Sequence, residues 1–125
     1  RKNAALVDIN RNFPVANWEL NAMAEHYHGG PWPASEPETR IVRAILERFP
    51  PRKIVSVHTP YRVVNFDGPL AARSLAEAMA RACGYPVSED IGYATPGSFG
   101  TYAGIDRLIP TITLELPEQV PMERL

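Results

Sequence analysis

Two short apolar runs flank an amphipathic segment in the second half of this chain, and that order restricts the fold more than any other feature. Ile54–Val57 is β-branched and apolar, as suits a strand buried in a sheet. Thr111–Leu116 alternates, with Ile112, Leu114 and Leu116 on one face and Thr111, Thr113 and Glu115 on the other. Between them a further strand is expected over Arg62–Phe66, with Asp67-Gly68-Pro69 turning the chain into a helix from about Leu70 to Cys83. Leu75, Met79 and Cys83 fall in register on that helix, which makes Cys83 a core residue, and Gly84 stops it. An upstream helix is expected to open at Ser35 as N-cap, with Glu38 at the capping-box position and Pro37 in its first turn. Ile41, Val42, Ile45, Leu46 and Phe49 form its apolar stripe, and Pro50-Pro51 ends it. Strands alternating with helices predict an α/β layered fold with a largely parallel or mixed sheet.

The first third is less regular. Residues 1–10 read as a turn entering a short strand around Leu6–Ile9. Residues 14–34, rich in Pro, Gly, Asn and aromatics, read as a long loop of the kind that usually carries function. Thirteen prolines in 125 residues agree with many fixed turns. The length allows one domain, and 45% apolar with 22% charged residues is ordinary for a soluble globular protein. A net charge of -1 lacks the basic footprint of a nucleic-acid binder. No apolar run approaches the roughly 18 residues of a membrane span, so neither nucleic acid nor membrane is an expected partner. A lone cysteine, Cys83, excludes an internal disulfide.

Several residues could carry chemistry. Asn10 and Arg11 set an amide beside a guanidinium, a pair able to hold one carboxylate if the chain turns there; the alternative is a solvated Asn-Arg-Asn loop. His58 follows the Ile54–Val57 strand, where ligands gather in open α/β sheets, or it is simply a histidine hydrogen-bonded at a strand end. Glu115 is either part of a solvated Thr/Thr/Glu edge or a buried carboxylate that needs a partner. Tyr93 lies in a Gly- and Pro-punctuated loop, free to swing towards a ligand or to cover core. Glu25-His26-Tyr27-His28 has the spacing to grip a metal from one strand face, but its loop context reads as surface.

In this order, five segments resemble the zinc carboxypeptidases of the carboxypeptidase A superfamily, and within them the bacterial murein peptide amidase A group. They are Val7-Asp8-Ile9-Asn10-Arg11-Asn12-Phe13-Pro14 with Asn17-Trp18; Ser35-Glu36-Pro37-Glu38-Thr39; Val55-Ser56-Val57-His58; Gly92–Gly100; and Thr113-Leu114-Glu115-Leu116-Pro117. The resemblance implies a three-layer αβα fold around a mixed, largely parallel sheet. It makes His58 a zinc ligand, Glu115 the general base, and Asn10 and Arg11 the clamp for a substrate's terminal carboxylate. It makes Arg1 the group that polarises the scissile carbonyl and Tyr93 the tyrosine that closes over the substrate. Ser98 and Phe99 fall where the side-chain pocket is shaped.

One departure stands out. The family draws its first two zinc ligands from a His-x-x-Glu motif, and none of His26, His28 and His58 has Glu three residues on. The chain is therefore expected to be the C-terminal part of one metallopeptidase domain, inactive alone, with one zinc ion whose two further ligands lie outside it. The implied reaction of the parent is hydrolysis of the bond before a C-terminal residue, between γ-linked D-glutamate and diaminopimelate of a murein peptide. The alternatives are an N-acyl amino acid deacylase of the desuccinylase/aspartoacylase type, or an inactive peptide-binding fragment. The expected partner is a peptide with a free C-terminal carboxylate, with self-association through exposed sheet edges. The resemblance favours the bacterial cytoplasm, with the periplasm as the alternative.

Overall fold

The computed structural model describes residues 2–22 and 27–118; Arg1 and His26 lie outside them. The chain opens with a bridge between Lys2 and Asp8 and a single 3-10 turn, Ile9–Arg11, where a short strand was expected. Asp8 is the reason: its carboxylate accepts from the Asn10 amide at 3.0 Å, a local bond that favours a turn over an extended run. A two-residue hairpin, β1 (Asn21–Ala22) against β2 (Tyr27–His28), interrupts the loop that follows.

Helix α1 runs Pro37–Arg48. Its N-cap is Glu36 rather than Ser35, because Pro37 occupies the first helical position; the Ser35 hydroxyl instead donates to Glu36 at 2.7 Å. Of the expected apolar stripe only Leu46 is buried, with Val42 packed beside it, while Ile41, Ile45 and Phe49 stand exposed. Helix α2 spans Leu70–Cys83, and the left-handed Gly84 ends it as expected. Its last residue corrects the reading: Cys83 is exposed, one turn beyond the packed Met79.

The core sheet contains β3 (Ile54–His58), β4 (Tyr61–Asp67), β5 (Val87–Ser88) and β6 (Thr111–Pro117), in the order β3-β6-β4-β5. β6 is parallel to β3 and antiparallel to β4, and β5 is parallel to β4, so the sheet is mixed. β3 pairs with β6 alone and forms an edge, which leaves Val55 and Val57 exposed instead of buried. β6 is central, which rules out the solvated-edge reading of Glu115.

Register sorts the two faces. On one, Val55–Ile112–Phe66 and Val57–Leu114–Val64 line up across β3, β6 and β4. Leu75, Ala76 and Met79 of α2 pack there on Val64 and Ile112, both fully buried. Each such aliphatic side chain contributes about 1.5–3 kcal/mol on burial. On the other face the rows are Ile54–Thr111–Asp67, Ser56–Thr113–Asn65 and His58–Glu115–Val63. A polar face in the middle of a sheet is costly unless it serves a site. A π-helix at Thr101–Asp106, not anticipated from the sequence, flanks this face. Phe13, Val15, Leu46 and Tyr102 form a second core beside it, joined by Ile54 and Phe99. Among the described residues no helix is long and apolar enough to cross a membrane.

Candidate functional site

The polar sheet face is the floor of a cleft, and every described residue singled out from the sequence for a site role lines it: Asn10, Arg11, His58, Tyr93, Ser98, Phe99 and Glu115. His58 and Glu115 are direct partners across the parallel β3–β6 ladder, so their side chains emerge side by side on one face. The Ser56 hydroxyl lies 2.9 Å from His58 Nε2, which leaves Nδ1 as the ring nitrogen without that contact. Glu115 is 3% exposed, and its Oε2 has no hydrogen-bond partner among the described residues. A buried acceptor left open in this way is expensive in a merely structural residue.

The 3-10 turn brings Asn10 and Arg11 to the same wall. Asn10 Oδ1 accepts from the Phe99 amide at 2.9 Å, so the group its side chain offers the cleft is the donor end. Arg11 is buried and one of its terminal nitrogens donates to the Asn10 carbonyl at 2.7 Å. The turn is braced from behind by Gly97, whose carbonyl accepts from Phe13 N at 2.9 Å. Gly97 has φ +71, and a Cβ there would collide with the Arg11 carbonyl, so only glycine allows the two segments to meet.

Ser98 turns inward to the π-helix, with its hydroxyl 3.0 Å from Thr101 Oγ1, while the Phe99 ring lies tilted against Phe13 with centroids 5.1 Å apart. The Tyr93 ring meets Tyr61 edge-on at 6.2 Å at the cleft's margin.

Sequence reasoning gave no site role to several other residues of the cleft, among them Asn65, Asp67 and Thr113 on its floor. The signal was available in β4, whose alternate positions Asn65 and Asp67 interrupt an apolar run, but which face they share with Glu115 depends on register. Burial pushes the Asp67 carboxyl above its ordinary value of 3.8. The folded chain therefore holds this proton more tightly than the unfolded one, and stability falls as pH rises from 3.8 through the higher folded value. Asp67→Asn, which removes the charge that burial disfavours, is expected to raise the melting temperature at neutral pH. Thermal melts across the mildly acidic range check this, and a lower melting temperature at neutral pH would contradict it.

A catalytic zinc takes about three protein ligands. Among the described residues no group of three His, Cys, Asp or Glu side chains is arranged to hold a metal. His58 suits a single ligand position, but by themselves the described residues do not fit a zinc ion.

No protein-family model matches the chain. Murein peptide amidase A of Escherichia coli (strain K12) is 38% identical over 128 aligned positions, covering 94% of this chain and 51% of that protein. The protein of the same name from Vibrio campbellii (strain ATCC BAA-1116) is 34% identical, covering 94% of this chain and 50% of its own length. Among solved structures, murein-tripeptide amidase MpaA from Escherichia coli O157 matches with a TM-score of 0.81 at 36% identity, over 96% of this chain and 54% of that one. Bovine thrombin-activatable fibrinolysis inhibitor matches with a TM-score of 0.70 at 25% identity, over 94% of this chain and 48% of its own. The chain thus spans about half the length of the relatives it matches. The mixed sheet with its helices matches the carboxypeptidase-like fold of these neighbours, and in sequence and fold alike the chain is similar to murein peptide amidase A over about half of that protein's length.

Proposed function

We propose that this chain carries the substrate-binding and general-base half of a hydrolase that cleaves the amide bond before a C-terminal residue of a murein peptide. The observation that supports this reading best is the juxtaposition of His58 and the open Oε2 of buried Glu115 in the cleft that also holds Asn10 and Arg11. Arg11 and the donor end of Asn10 bind the terminal carboxylate, which restricts cleavage to the last residue. Glu115 takes a proton from the attacking water and returns it to the leaving amine, the usual double duty of one carboxylate in amide hydrolysis. Tyr93, at the margin, covers the bound peptide. His58 would hold one position on a zinc ion, with the two other ligands supplied from outside the described residues. Bound there, zinc would supply Lewis-acid chemistry.

The test uses the whole protein with two substrates: a muropeptide ending in diaminopimelate and an N-succinyl amino acid. Turnover of the first and not the second is expected; the reverse would indicate a deacylase. Arg11→Ala should lower kcat/KM for the muropeptide by about 10- to 100-fold, since a charged hydrogen bond contributes about 1.5–3 kcal/mol. An unchanged value would remove Arg11 from the clamp.

A further inference from the structure

We propose that Glu36 is a positioning residue for this reaction: its carboxylate ties together the chain on both sides of the Asn10/Arg11 turn and so holds the clamp in the shape that selects a free terminal carboxylate. This deepens the function proposed above and rests on Asn10 and Arg11 binding that group. Glu36 is buried and is not among the residues that line the cleft, so it acts through others.

Its two oxygens face two different segments. Oε2 accepts from Asn3 Nδ2 at 2.7 Å, and Oε1 accepts from the Ser35 hydroxyl at 2.7 Å. Asn3 organises the chain before the turn: its Oδ1 accepts from Ala5 N at 3.1 Å and Val7 N at 3.0 Å, and its backbone N donates to the Val7 carbonyl at 2.9 Å. That small loop delivers the chain to Asp8, whose carboxylate accepts from Asn10 N and whose carbonyl accepts from Arg11 N at 2.9 Å. After the turn, Ser35 Oγ accepts from Asn12 Nδ2 at 2.9 Å, and Glu36 N donates to Asn12 Oδ1 at 3.1 Å. Asp8 and Asn12 bracket the clamp, and both lead back to one carboxylate.

Only an ionised acid suits this place. Both groups that reach its oxygens are donors, and an amide would set its own N–H against one of them. The Ser35 hydrogen bond first and the Asn3 one second hold the Glu36 carboxyl below its ordinary value of 4.5; burial opposes them, and Arg40 and His28 add their attraction. It is therefore charged throughout the neutral range. Although Glu36 is the N-cap of α1, its side chain makes no capping hydrogen bond to that helix. The carboxylate serves Asn3 and Ser35 instead, which a residue kept only to start a helix does not require.

The experiment measures steady-state kinetics of the whole protein on a muropeptide ending in diaminopimelate. The same peptide with the α-carboxylate of that residue amidated is measured as a competitive inhibitor. In the wild type the amide is expected to bind at least about tenfold more weakly than the acid, the loss of one charged hydrogen bond. Glu36→Gln should raise KM for the acid about tenfold, with kcat within about threefold of wild type and the inhibition constant of the amide unchanged. Asn3→Asp, which sets two carboxylates face to face, should do the same. Combining the two substitutions exchanges donor and acceptor across the pair and should return KM to within about threefold of wild type. Should Glu36→Gln alone fail to fold, Asn3→Asp against the double variant reads the same bond. An unchanged KM in the single variants, equal weakening of acid and amide, or a double variant no better than the single ones would overturn the assignment of Glu36. A wild type that does not distinguish acid from amide would instead show that the Asn10/Arg11 reading fails, and this proposal falls with it.

Discussion

Replacing Glu115 by Gln in the whole protein should reduce turnover of a muropeptide by about 100- to 10,000-fold, the range that general acid–base catalysis supplies. Gln keeps the volume and one carbonyl oxygen, so the β6 ladder and its pairing with His58 need not change. What it loses is the ability to accept a proton. The environment makes this substitution unusually clean. Glu115 is 3% exposed, and its Oε2 has no partner among the described residues, so no hydrogen bond to that oxygen is broken. A buried neutral amide in place of a carboxylate should leave the melting temperature equal or higher. Lost turnover with retained stability is therefore the expected pair of results. Turnover within tenfold of the parent would remove Glu115 from the chemistry.

The largest effect on folding is expected at Asn12, which touches no part of the cleft. Its side chain is fully buried and reaches four partners. The two hydrogens of Nδ2 are shared among the Gly29 carbonyl at 2.7 Å, Ser35 Oγ at 2.9 Å and the Trp32 carbonyl at 3.2 Å, and Oδ1 accepts from Glu36 N at 3.1 Å. One amide thus ties the long loop and the start of α1 to the turn that presents Asn10 and Arg11. Asn12→Ala strands several buried polar groups at once, at about 1–3 kcal/mol each. A loss of at least about 3 kcal/mol follows, or more than about 10 °C in a domain of this size. Asn12→Asp should fare little better, because a carboxylate cannot donate to the two carbonyls. A melting temperature within 2 °C of the parent, an interval set at about the scatter expected of a surface substitution, would show the network to be dispensable.

Much of the local structure was legible in the residues. The bounds of α2 and its glycine stop follow from short-range rules that act within a few residues. So does the division of β6 into an apolar row and a Thr111/Thr113/Glu115 row, which the pleat enforces whatever the strand pairs with. The same rules misjudged α1, where the stripe from Ile41 to Phe49 is present but only Leu46 is buried, because a helix cannot specify how much of its apolar face a neighbour covers. They also placed Ser35 at the cap and a strand at Leu6–Ile9, where Pro37 and the Asp8 side chain decide otherwise.

By itself, then, the sequence determined which residues are polar, which face of its own element each occupies, and where α2 stops, since these depend on periodicity and turn chemistry along one stretch of chain. Tertiary structure alone decided that β6 lies between β3 and β4 rather than at an edge, that Glu115 is buried opposite His58, and that Asp67 shares their floor. Those facts depend on pairing between strands up to fifty or more residues apart, where the register of one ladder sets which side chains meet.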